Sequence, residues 1–534
     1  MKQSTCFALV FTMGIACSIW GCGDAILDKT PIITGRVLYE CREYDPAIGA
    51  MGTEVVQRPV AGWTVFVSKN GMEFERVVTD ANGYYRVHSG VGENLVLTCL
   101  AGRGPTDGND GVDFQVYDPG ADSSDQSDDI AHNVSKTITV DGNMTVDLIA
   151  PFTGNGGAFA ICDGVNRGFT KMSELGLISG ANPMAHVRAY WRRGMDTFDG
   201  TDWSFWRFPN QNMLFIRSFT PGAEETTEED AWNPMSPLAL MGYFVLEDYS
   251  GRGISSGGET DSFDYEPTIM WSKGFITFWA CYAWGSSQYR FCAGYGATGT
   301  LDFDYDCEAG FFPAHAQAPS ANYSGVFSRY SISSVLLDTF DGPTTSPADT
   351  DGDGVESGIW PIRRVITNDT IKNDDVVVFN DIISVWQSTE ASTFGGLTAR
   401  LATENIPWPA TNASNWPRKL NSGDSYTSRC DSTRYVAAQV KRYHWDVVDL
   451  YELNLAADGT ISISVNIAGT GSAPQDIDVY LVNQSLSSPI ASAVTVNPIE
   501  SISYPATAGT YIVVVTAYEN SANAADYTIT YNLL

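Results

Sequence analysis

Gly459-Thr460-Ile461-Ser462-Ile463-Ser464-Val465 is a segment in which apolar and hydroxyl-bearing side chains alternate along the chain. Alternation with a period of two residues predicts a β-strand with one buried face and one solvated face. Further strands are predicted at 449–453, 476–481, 500–504, 508–515 and 526–528. Residues 431–534 are therefore predicted to form an all-β module.

This C-terminal module resembles the bacterial pre-peptidase C-terminal domain, a β-sandwich found attached to secreted peptidases, over nearly its whole length. Asp476 and Asp478 lie at positions where members of that family can bind calcium. The resemblance therefore implies a calcium site at these carboxylates. The alternative is that both aspartates are polar strand positions that hold no ion.

The N-terminal region, residues 31–150, also consists of predicted strands and turns. Its strongest turn signal is Asp80-Ala-Asn-Gly83, because Asn and Gly tolerate positive φ in hairpins. The order G-x-V (35–37), P-V-A-G (59–62) and T-D-A-N-G-Y-Y-x-V (79–87) resembles the carboxypeptidase regulatory-like, or transthyretin-like, β-sandwich. Cys41 and Cys99 lie in or beside its predicted strands and are the predicted disulfide pair.

The central region, residues 151–430, has mixed periodicity that predicts an α+β domain. A strand is predicted at 185–191, and helices are predicted from about 159 and at 237–249, 272–284, 331–340 and 376–386. A Pro-, Asn- and Ser-rich stretch at 404–428 predicts a linker. The whole chain is thus predicted to be β-rich and multidomain: an N-terminal β-sandwich, a central α+β domain and a C-terminal β-sandwich.

Peptidase-associated sandwiches on both sides make the central domain the place to look for a zinc peptidase motif. Such a motif needs two histidines one helical turn apart, with a glutamate between them as the general base. The chain has five histidines: His88, His132, His186, His315 and His444. Because none of these histidines lies four residues from another, the helix motif is absent.

The surroundings of the missing motif nevertheless resemble a family of secreted bacterial zinc peptidases with a thermolysin-like helix. The resemblance rests on Glu247-Asp248, the Gly257-Gly258 turn, the segment 272–275 and the helix and turn at 331–341 and 354–362. Carried over residue by residue, the zinc-binding histidines fall on Leu240 and Phe244, the general base on Met241 and the third ligand on Lys273.

These replacements imply a degenerate metallopeptidase-like domain that binds no zinc. Leu240, Met241 and Phe244 supply apolar volume where ligands would stand, and an ammonium group at Lys273 would repel a dication. Two alternatives stay open. Either 237–249 is simply an amphipathic core helix, or the chain is an active secreted metallopeptidase with atypical ligands.

A second candidate metal site is the loop Asp349-Thr-Asp351-Gly-Asp353-Gly-Val355. Carboxylates at alternate positions with a glycine at the sixth match the start of a calcium-binding loop, in which Val355 would offer its carbonyl oxygen. Position twelve is Trp360 instead of the bidentate glutamate of an EF-hand. The alternative is a polar Gly-Asp surface loop.

Residues 1–22 predict a bacterial export signal. Lys2 precedes an apolar stretch at 7–15, and Ile19-Trp-Gly-Cys22 resembles a lipobox, in which Cys22 would be acylated and become the first residue of the mature protein. Gly23 rather than Asp follows and favours the outer membrane or cell surface. An ordinary cleaved signal and a membrane-spanning anchor are the alternatives, although the apolar run is shorter than the ~20 residues that a spanning helix needs.

The formal charge of −32, with 31 Lys and Arg residues in total, excludes nucleic acid as a partner, since phosphate binding needs clustered cations. Of ten cysteines, seven follow Cys22, so at least one is unpaired or pairs between chains. No C-x-x-C occurs, which argues against a structural thiolate–zinc site.

With no complete catalytic motif, the sequence predicts a non-catalytic, lipid-anchored extracytoplasmic protein. It would bind or scaffold a protein or glycan ligand at the outer membrane or cell surface, with calcium as a structural ion. The alternatives are an active secreted metallopeptidase and a purely structural envelope lipoprotein.

Overall fold

The computed structural model describes residues 30–104, 111–120, 126–198, 204–207, 213–227, 229–250, 267–307, 329–341, 357–372, 379–404, 406, 408, 418–430, 448–468, 477–483, 489–517 and 525–534. These residues form a β-rich, multidomain chain with β-sandwiches on either side of a helical region. None of the described helices is both long enough and apolar enough to cross a bilayer.

The N-terminal region is a sandwich of two sheets. Its strands are β1 (Ile32–Cys41), β2 (Tyr44–Asp45), β3 (Ala50–Met51), β4 (Val56–Pro59), β5 (Thr64–Lys69), β6 (Met72–Val78), β7 (Tyr84–His88), β8 (Asn94–Leu100), β9 (Gly102–Arg103), β10 (Phe114–Asp118), β11 (Ile130–Ala131), β12 (Asn133–Thr139), β13 (Met144–Thr145) and β14 (Leu148–Ala150). In one sheet β1 pairs with β4, β7, β13 and β14, and the other has the order β12-β8-β5-β6. Alternate side chains such as Val37 and Leu97 are fully buried between the two sheets.

The turn predicted at Asp80-Ala-Asn-Gly83 is present, but it does not close a hairpin, because β6 pairs with β5 and β7 pairs with β1 in the opposite sheet. One carboxylate oxygen of Asp80 accepts hydrogen bonds from the backbone N–H groups of Asn82 (2.8 Å) and Tyr84 (2.9 Å). Gly83 has φ +76°, and a Cβ there would lie 2.6 Å from the carbonyl oxygen of Val37. The turn therefore needs glycine at this position, both for its backbone conformation and for the close approach of β1.

The central region contains helices and short strands. Its helices are α1 (Gly156–Glu174), a 3-10 turn (Asp230–Trp232), α2 (Met235–Ser250), α3 (Pro267–Trp284), a second 3-10 turn (Gly296–Thr298), α4 (Arg329–Phe340), α5 (Ile359–Ile366), α6 (Asp369–Lys372), α7 (Phe379–Thr389) and α8 (Phe394–Thr403). Its strands are β15 (Val187–Tyr190), β16 (Phe205–Arg207), β17 (Met213–Phe215), β18 (Gln288–Ala293) and β19 (Thr300–Asp306). The helices predicted for this region are all present, with shifted ends.

The first domain boundary differs from the prediction at residue 150. A sheet with the order β11-β10-β15-β17-β16 combines strands from both sides of that residue, and β10 runs parallel to β15 with Phe114 opposite Val187. The N-terminal and central regions therefore share a sheet. Local periodicity predicted the strand at 185–191, which is β15, but it carries no information about such long-range pairing.

Small residues allow the central helices to approach closely. A Cβ at Gly242 of α2 would lie 2.9 Å from the Cα of Ile276 in α3, and one at Gly274 of α3 would lie 2.5 Å from Ile332 of α4. A Cβ at Gly168 of α1 would lie 2.7 Å from the side chain of Met241 in α2. Helices α1 to α4 thus form one tightly packed layer around α2 and α3.

The C-terminal sandwich begins before the predicted boundary at residue 431. Its strands are β20 (Arg418–Leu420), β21 (Ser425–Cys430), β22 (Val448–Leu455), β23 (Gly459–Ala468), β24 (Ile477–Asn483), β25 (Ala491–Ala493), β26 (Ile499–Ala506), β27 (Gly509–Ala517) and β28 (Ala525–Leu533). The two sheets have the orders β20-β22-β27-β24-β25 and β21-β28-β23-β26. The hydroxyls of Tyr451 and Tyr527 lie 2.7 Å apart between them. Because β20 and β21 pair with this sandwich, the stretch predicted as a linker contributes two of its strands.

Candidate functional site

The degenerate zinc-site positions lie inside the helical layer. Leu240, Met241 and Phe244 lie on α2 and Lys273 on α3, and all four are at most 7% exposed. Met241 packs on Gly168 of α1. Across the described part of the chain, no group of three or more His, Cys, Asp and Glu residues could hold a metal ion. Each of these positions is therefore buried in the helical layer.

The other predicted metal and anchor positions are mostly outside the described residues. This holds for Cys22, for Asp349, Asp351, Asp353 and Val355 of the calcium loop, and for Asp476. Asp478 lies on β24, where it is half-buried and accepts a hydrogen bond from the Tyr480 hydroxyl at 3.3 Å.

Cys41 and Cys99 are both free thiols, which corrects the predicted disulfide. Cys41 ends β1, whereas Cys99 lies on β8 in the opposite sheet and is fully buried beside Cys162 of α1. Proximity to strands in the sequence did not reveal that the two strands belong to different sheets. Burial raises the pKa of each thiol to about 12, so both stay protonated at neutral pH.

A cavity of about 250 Å³ lies where the N-terminal sandwich meets the central helices, and we call it the junction cavity. Its walls combine aromatic rings with charged and amide side chains. The sandwich contributes Tyr39, Arg42, Glu43, Tyr44 and Arg58, and the central region contributes Asp163, Trp232, Asn233, Trp284, Gln288 and Arg290.

Arg42 is held in place on the sandwich side of the junction cavity. Its Nη1 donates to the carbonyl oxygens of Gly52 (2.9 Å) and Thr53 (2.6 Å), and its guanidinium lies 3.6 Å from the ring centroid of Tyr295. Desolvation lowers the pKa of Arg42, although the group remains a cation. Its Nε is buried and has no hydrogen-bond partner among the described residues.

The carboxylates of the junction cavity already have partners in its wall. The Tyr39 hydroxyl donates to Oδ2 of Asp163 at 2.9 Å, which ties β1 to α1. Arg58 Nε lies 2.7 Å from Oε1 of Glu43, so these two charges offset each other. Burial, followed by the nearby Asp163 charge, raises the pKa of Tyr39 far above its usual range, so its hydroxyl stays a donor.

Another part of the cavity wall is built from stacked planar groups. The Arg290 guanidinium lies 4.2 Å from the ring centroid of Tyr44, and its Nη2 donates to Oε1 of Gln288 at 2.8 Å. Asn233 Nδ2 donates to the Arg290 carbonyl oxygen at 2.8 Å. Trp284, at the end of α3, completes this wall. The Arg167 guanidinium lies 3.9 Å from the ring centroid of Trp284.

A polar cluster lies beside the 3-10 turn at Asp230–Trp232. Glu229 accepts hydrogen bonds from Ser218 Oγ (2.7 Å) and from Trp191 Nε1 (3.2 Å), and burial raises its pKa to about 7. Asp230 accepts from Ser236 Oγ at 3.0 Å. The cluster sets the position of the 3-10 turn that carries Trp232 into the wall.

The acidic side chains of this cavity are already paired, and its Cys41 thiol is protonated. None of its lining residues is a histidine, the Cys41 thiol is protonated, and Asp163 and Glu43 are committed to Tyr39 and Arg58. A general base would need a group within reach of substrate and free to take a proton. The wall instead contains aromatic rings and fixed hydrogen-bond donors and acceptors.

Sequence reasoning missed this cavity because its walls come from distant segments. They lie at 39–58, 160–164, 231–235 and 284–292. No spacing rule links such segments, and the individual Trp, Tyr and Arg residues look like ordinary core or surface positions.

No family model matches the chain, and no curated protein matches it. Among solved structures, the pre-peptidase C-terminal domain of collagenase from Bacillus anthracis is 16% identical, with a TM-score of 0.17, covering 22% of this chain and 93% of that chain. A DUF3823 family protein from Parabacteroides merdae is 17% identical, with a TM-score of 0.12, covering 22% of this chain and 44% of that chain.

A third solved structure is a carbohydrate-binding module, CBM36, in complex with calcium and xylotriose. It is 15% identical, with a TM-score of 0.12, and the match covers 16% of this chain and 72% of that chain. At TM-scores this low, the ligands of these neighbours say nothing about the ligand of this chain.

Proposed function

We propose that this chain is a non-catalytic extracytoplasmic binding protein, anchored by a lipid on Cys22, that binds a glycan in the junction cavity. The observation that carries the proposal is the lining of that cavity, where Tyr44, Trp232 and Trp284 stand among fixed polar groups. A sugar suits this lining because its flat C–H faces pack on aromatic rings, while its hydroxyls pair with amide and guanidinium groups.

The dimensions of the cavity limit the ligand. Its volume of about 250 Å³ lies just below the ~300–1,000 Å³ typical of pockets for drug-sized ligands. A single sugar unit at the end of a chain fits this volume better than an internal run of several units. Arg42 and Arg290 would donate to its oxygens from guanidinium groups that stacking already orients.

Two sequence-based expectations belong to the same proposal. A calcium ion at Asp349, Asp351 and Asp353 with the Val355 carbonyl, or at Asp476 and Asp478, would have a structural role. The helical layer would descend from a zinc peptidase in which Leu240, Met241, Phe244 and Lys273 replaced the metal site. Their burial agrees with a packing role.

Direct binding to a panel of immobilised glycans tests this function. The variant Trp284→Ala removes a ring from the wall, and we expect about a tenfold loss of affinity for any glycan retained by the unaltered chain. Trp360→Ala is the matched control, since Trp360 is 48% exposed on α5 and does not line the cavity. Gln288→Ala serves as a second variant if Trp284→Ala unfolds.

Three results would contradict the proposal. The first is equal glycan affinity in the Trp284→Ala, Gln288→Ala and unaltered proteins. The second is binding of a protein ligand that none of these cavity variants weakens. The third is stoichiometric zinc together with peptide hydrolysis that a chelator abolishes, which would identify an active metallopeptidase.

A further inference from the structure

We propose that Cys281 and Cys307 form a disulfide bond in the exported protein. Their Sγ atoms lie 3.5 Å apart, and both side chains are fully buried. A disulfide has an S–S length of about 2.05 Å, so the sulfurs need to approach by only about 1.5 Å.

The backbone around the two cysteines already fixes their relative position. Cys281 lies in the last turns of α3, and Cys307 directly follows β19. The backbone N–H of Cys307 donates to the carbonyl oxygen of Ser287 at 2.9 Å, and the Cys281 thiol lies 3.6 Å from the same oxygen. Ser287 thus holds the end of the helix and the end of the hairpin together.

This pair has what the predicted Cys41–Cys99 pair lacks. Cys41 and Cys99 lie on strands that belong to opposite sheets of the sandwich. The Cys281 and Cys307 sulfurs are instead in direct contact within one local unit, the end of α3 and the β18–β19 hairpin. A disulfide there would also account for two of the seven cysteines that follow Cys22.

The reaction is a thiol–disulfide exchange with an extracytoplasmic dithiol oxidase. One cysteine thiolate attacks the disulfide of the oxidase, and the other then displaces it, leaving the protein disulfide and the reduced dithiol of the oxidase. Two hydrogen atoms pass from the chain to the oxidant. Because both thiols are fully buried in the native fold, the exchange takes place before the hairpin packs onto α3.

The cross-link would fix one wall of the junction cavity. The hairpin between the two cysteines carries Gln288 and Arg290, which line that cavity. Closing the loop from 281 to 307 reduces the freedom of the unfolded chain and ties the end of β19, the strand that pairs with β18, to the end of α3. The proposal rests on export of the chain, and its test needs no ligand.

Peptide mapping of the full-length chain tests the bond. The protein is produced with export and, separately, with its signal removed in a reducing cytoplasm, and each sample is alkylated in denaturant without reductant. We expect a 281–307 linked peptide only in the exported protein, lighter than the reduced pair by two hydrogen atoms. Cys281→Ser and Cys307→Ser should each abolish it, and Cys292→Ser should leave it intact.

The stability of the exported protein gives an independent readout. Reductant should lower the melting temperature of the exported protein but leave that of the Cys281→Ala/Cys307→Ala double variant unchanged. Complete alkylation of Cys281 and Cys307 in the exported protein would overturn the proposal. A linkage of either residue to another cysteine, such as Cys292, would overturn it as well.

Discussion

Glu229 shows how the environment of one residue changes its chemistry. In the sequence it is one of several acidic residues, but in the structure its carboxyl group lies among Ser218, Trp191 and Asp230. Burial outweighs the hydrogen bonds that Ser218, Trp191 and the Phe219 backbone make to the charged form, so the pKa of Glu229 rises from 4.5 to about 7. The carboxyl group therefore keeps its proton in the folded state across a range in which the unfolded chain loses it.

The raised pKa of Glu229 predicts a pH-dependent stability. Between pH 4.5 and about 7 the folded state binds more protons than the unfolded state. The stabilisation of the folded state that Glu229 provides is therefore complete below pH 4.5 and is lost as the pH rises through about 7. Relative to Glu229→Gln, the free energy of unfolding should fall by up to about 3 kcal/mol over this interval. This figure is an upper bound because part of the side chain is exposed.

Urea unfolding at pH 4.5 and pH 7.5 measures this difference. Glu224→Gln is the matched control, because Glu224 is 42% exposed and pairs with Arg193 at the surface. It should keep the pH dependence of the unaltered chain. Identical pH dependence in Glu229→Gln and the unaltered chain would show that Glu229 does not titrate in this way.

At the scale of elements, helices α4 and α8 are joined by a buried ion pair. Arg400 of α8 pairs with Asp338 of α4, and the two residues are 7% and 2% exposed. Arg400 also lies 3.8 Å from Glu404, whose pKa is raised because burial outweighs its hydrogen bonds and this cation. The Arg400 guanidinium therefore lies within ion-pair distance of two carboxyl groups, those of Asp338 and Glu404.

Asp338→Asn should destabilise the central domain strongly. Removing one partner of a buried pair leaves the other charge uncompensated in a region of low polarity, which typically costs about 3–5 kcal/mol. Glu174→Gln removes the partner of Lys171 at the surface and should cost less than about 1 kcal/mol. Chemical denaturation followed by tryptophan fluorescence compares the two variants. Equal losses would mean that the Asp338–Arg400 pair does not hold these helices together.

At the scale of the whole molecule, the proposed anchor on Cys22 precedes domains whose described part begins at residue 30. Cys22→Ala should therefore move the protein from the membrane fraction to the soluble fraction while leaving its fold intact. Cys41→Ala is the matched control, because Cys41 is buried at the end of β1 and should leave the protein in the membrane fraction.

Membrane fractionation and far-ultraviolet circular dichroism measure the two parts of this prediction. A Cys22→Ala protein that still sediments with membranes would rule out the lipid anchor. A variant that leaves the membrane but loses its native spectrum would show instead that the N-terminus contributes to folding.

The periodic segments of the sequence correctly predicted individual strands and helices. The segment 459–465 lies in β23, with Ile461, Ile463 and Val465 buried on one face. The helix predicted at 237–249 is α2, which spans Met235–Ser250. Both predictions depend only on side chains that are neighbours along the chain, so local alternation or helical spacing was sufficient.

The sequence by itself determined the β-rich, multidomain class and the absence of an intact zinc helix motif. Only the tertiary structure decided which strands pair across residue 150, that the sulfurs of Cys281 and Cys307 lie in contact, and where the junction cavity lies. The reason is physical. Strand and helix formation follow from local backbone geometry and the burial of one face. Pairing, thiol contact and cavity walls depend on which distant faces pack together, and no local pattern encodes that choice.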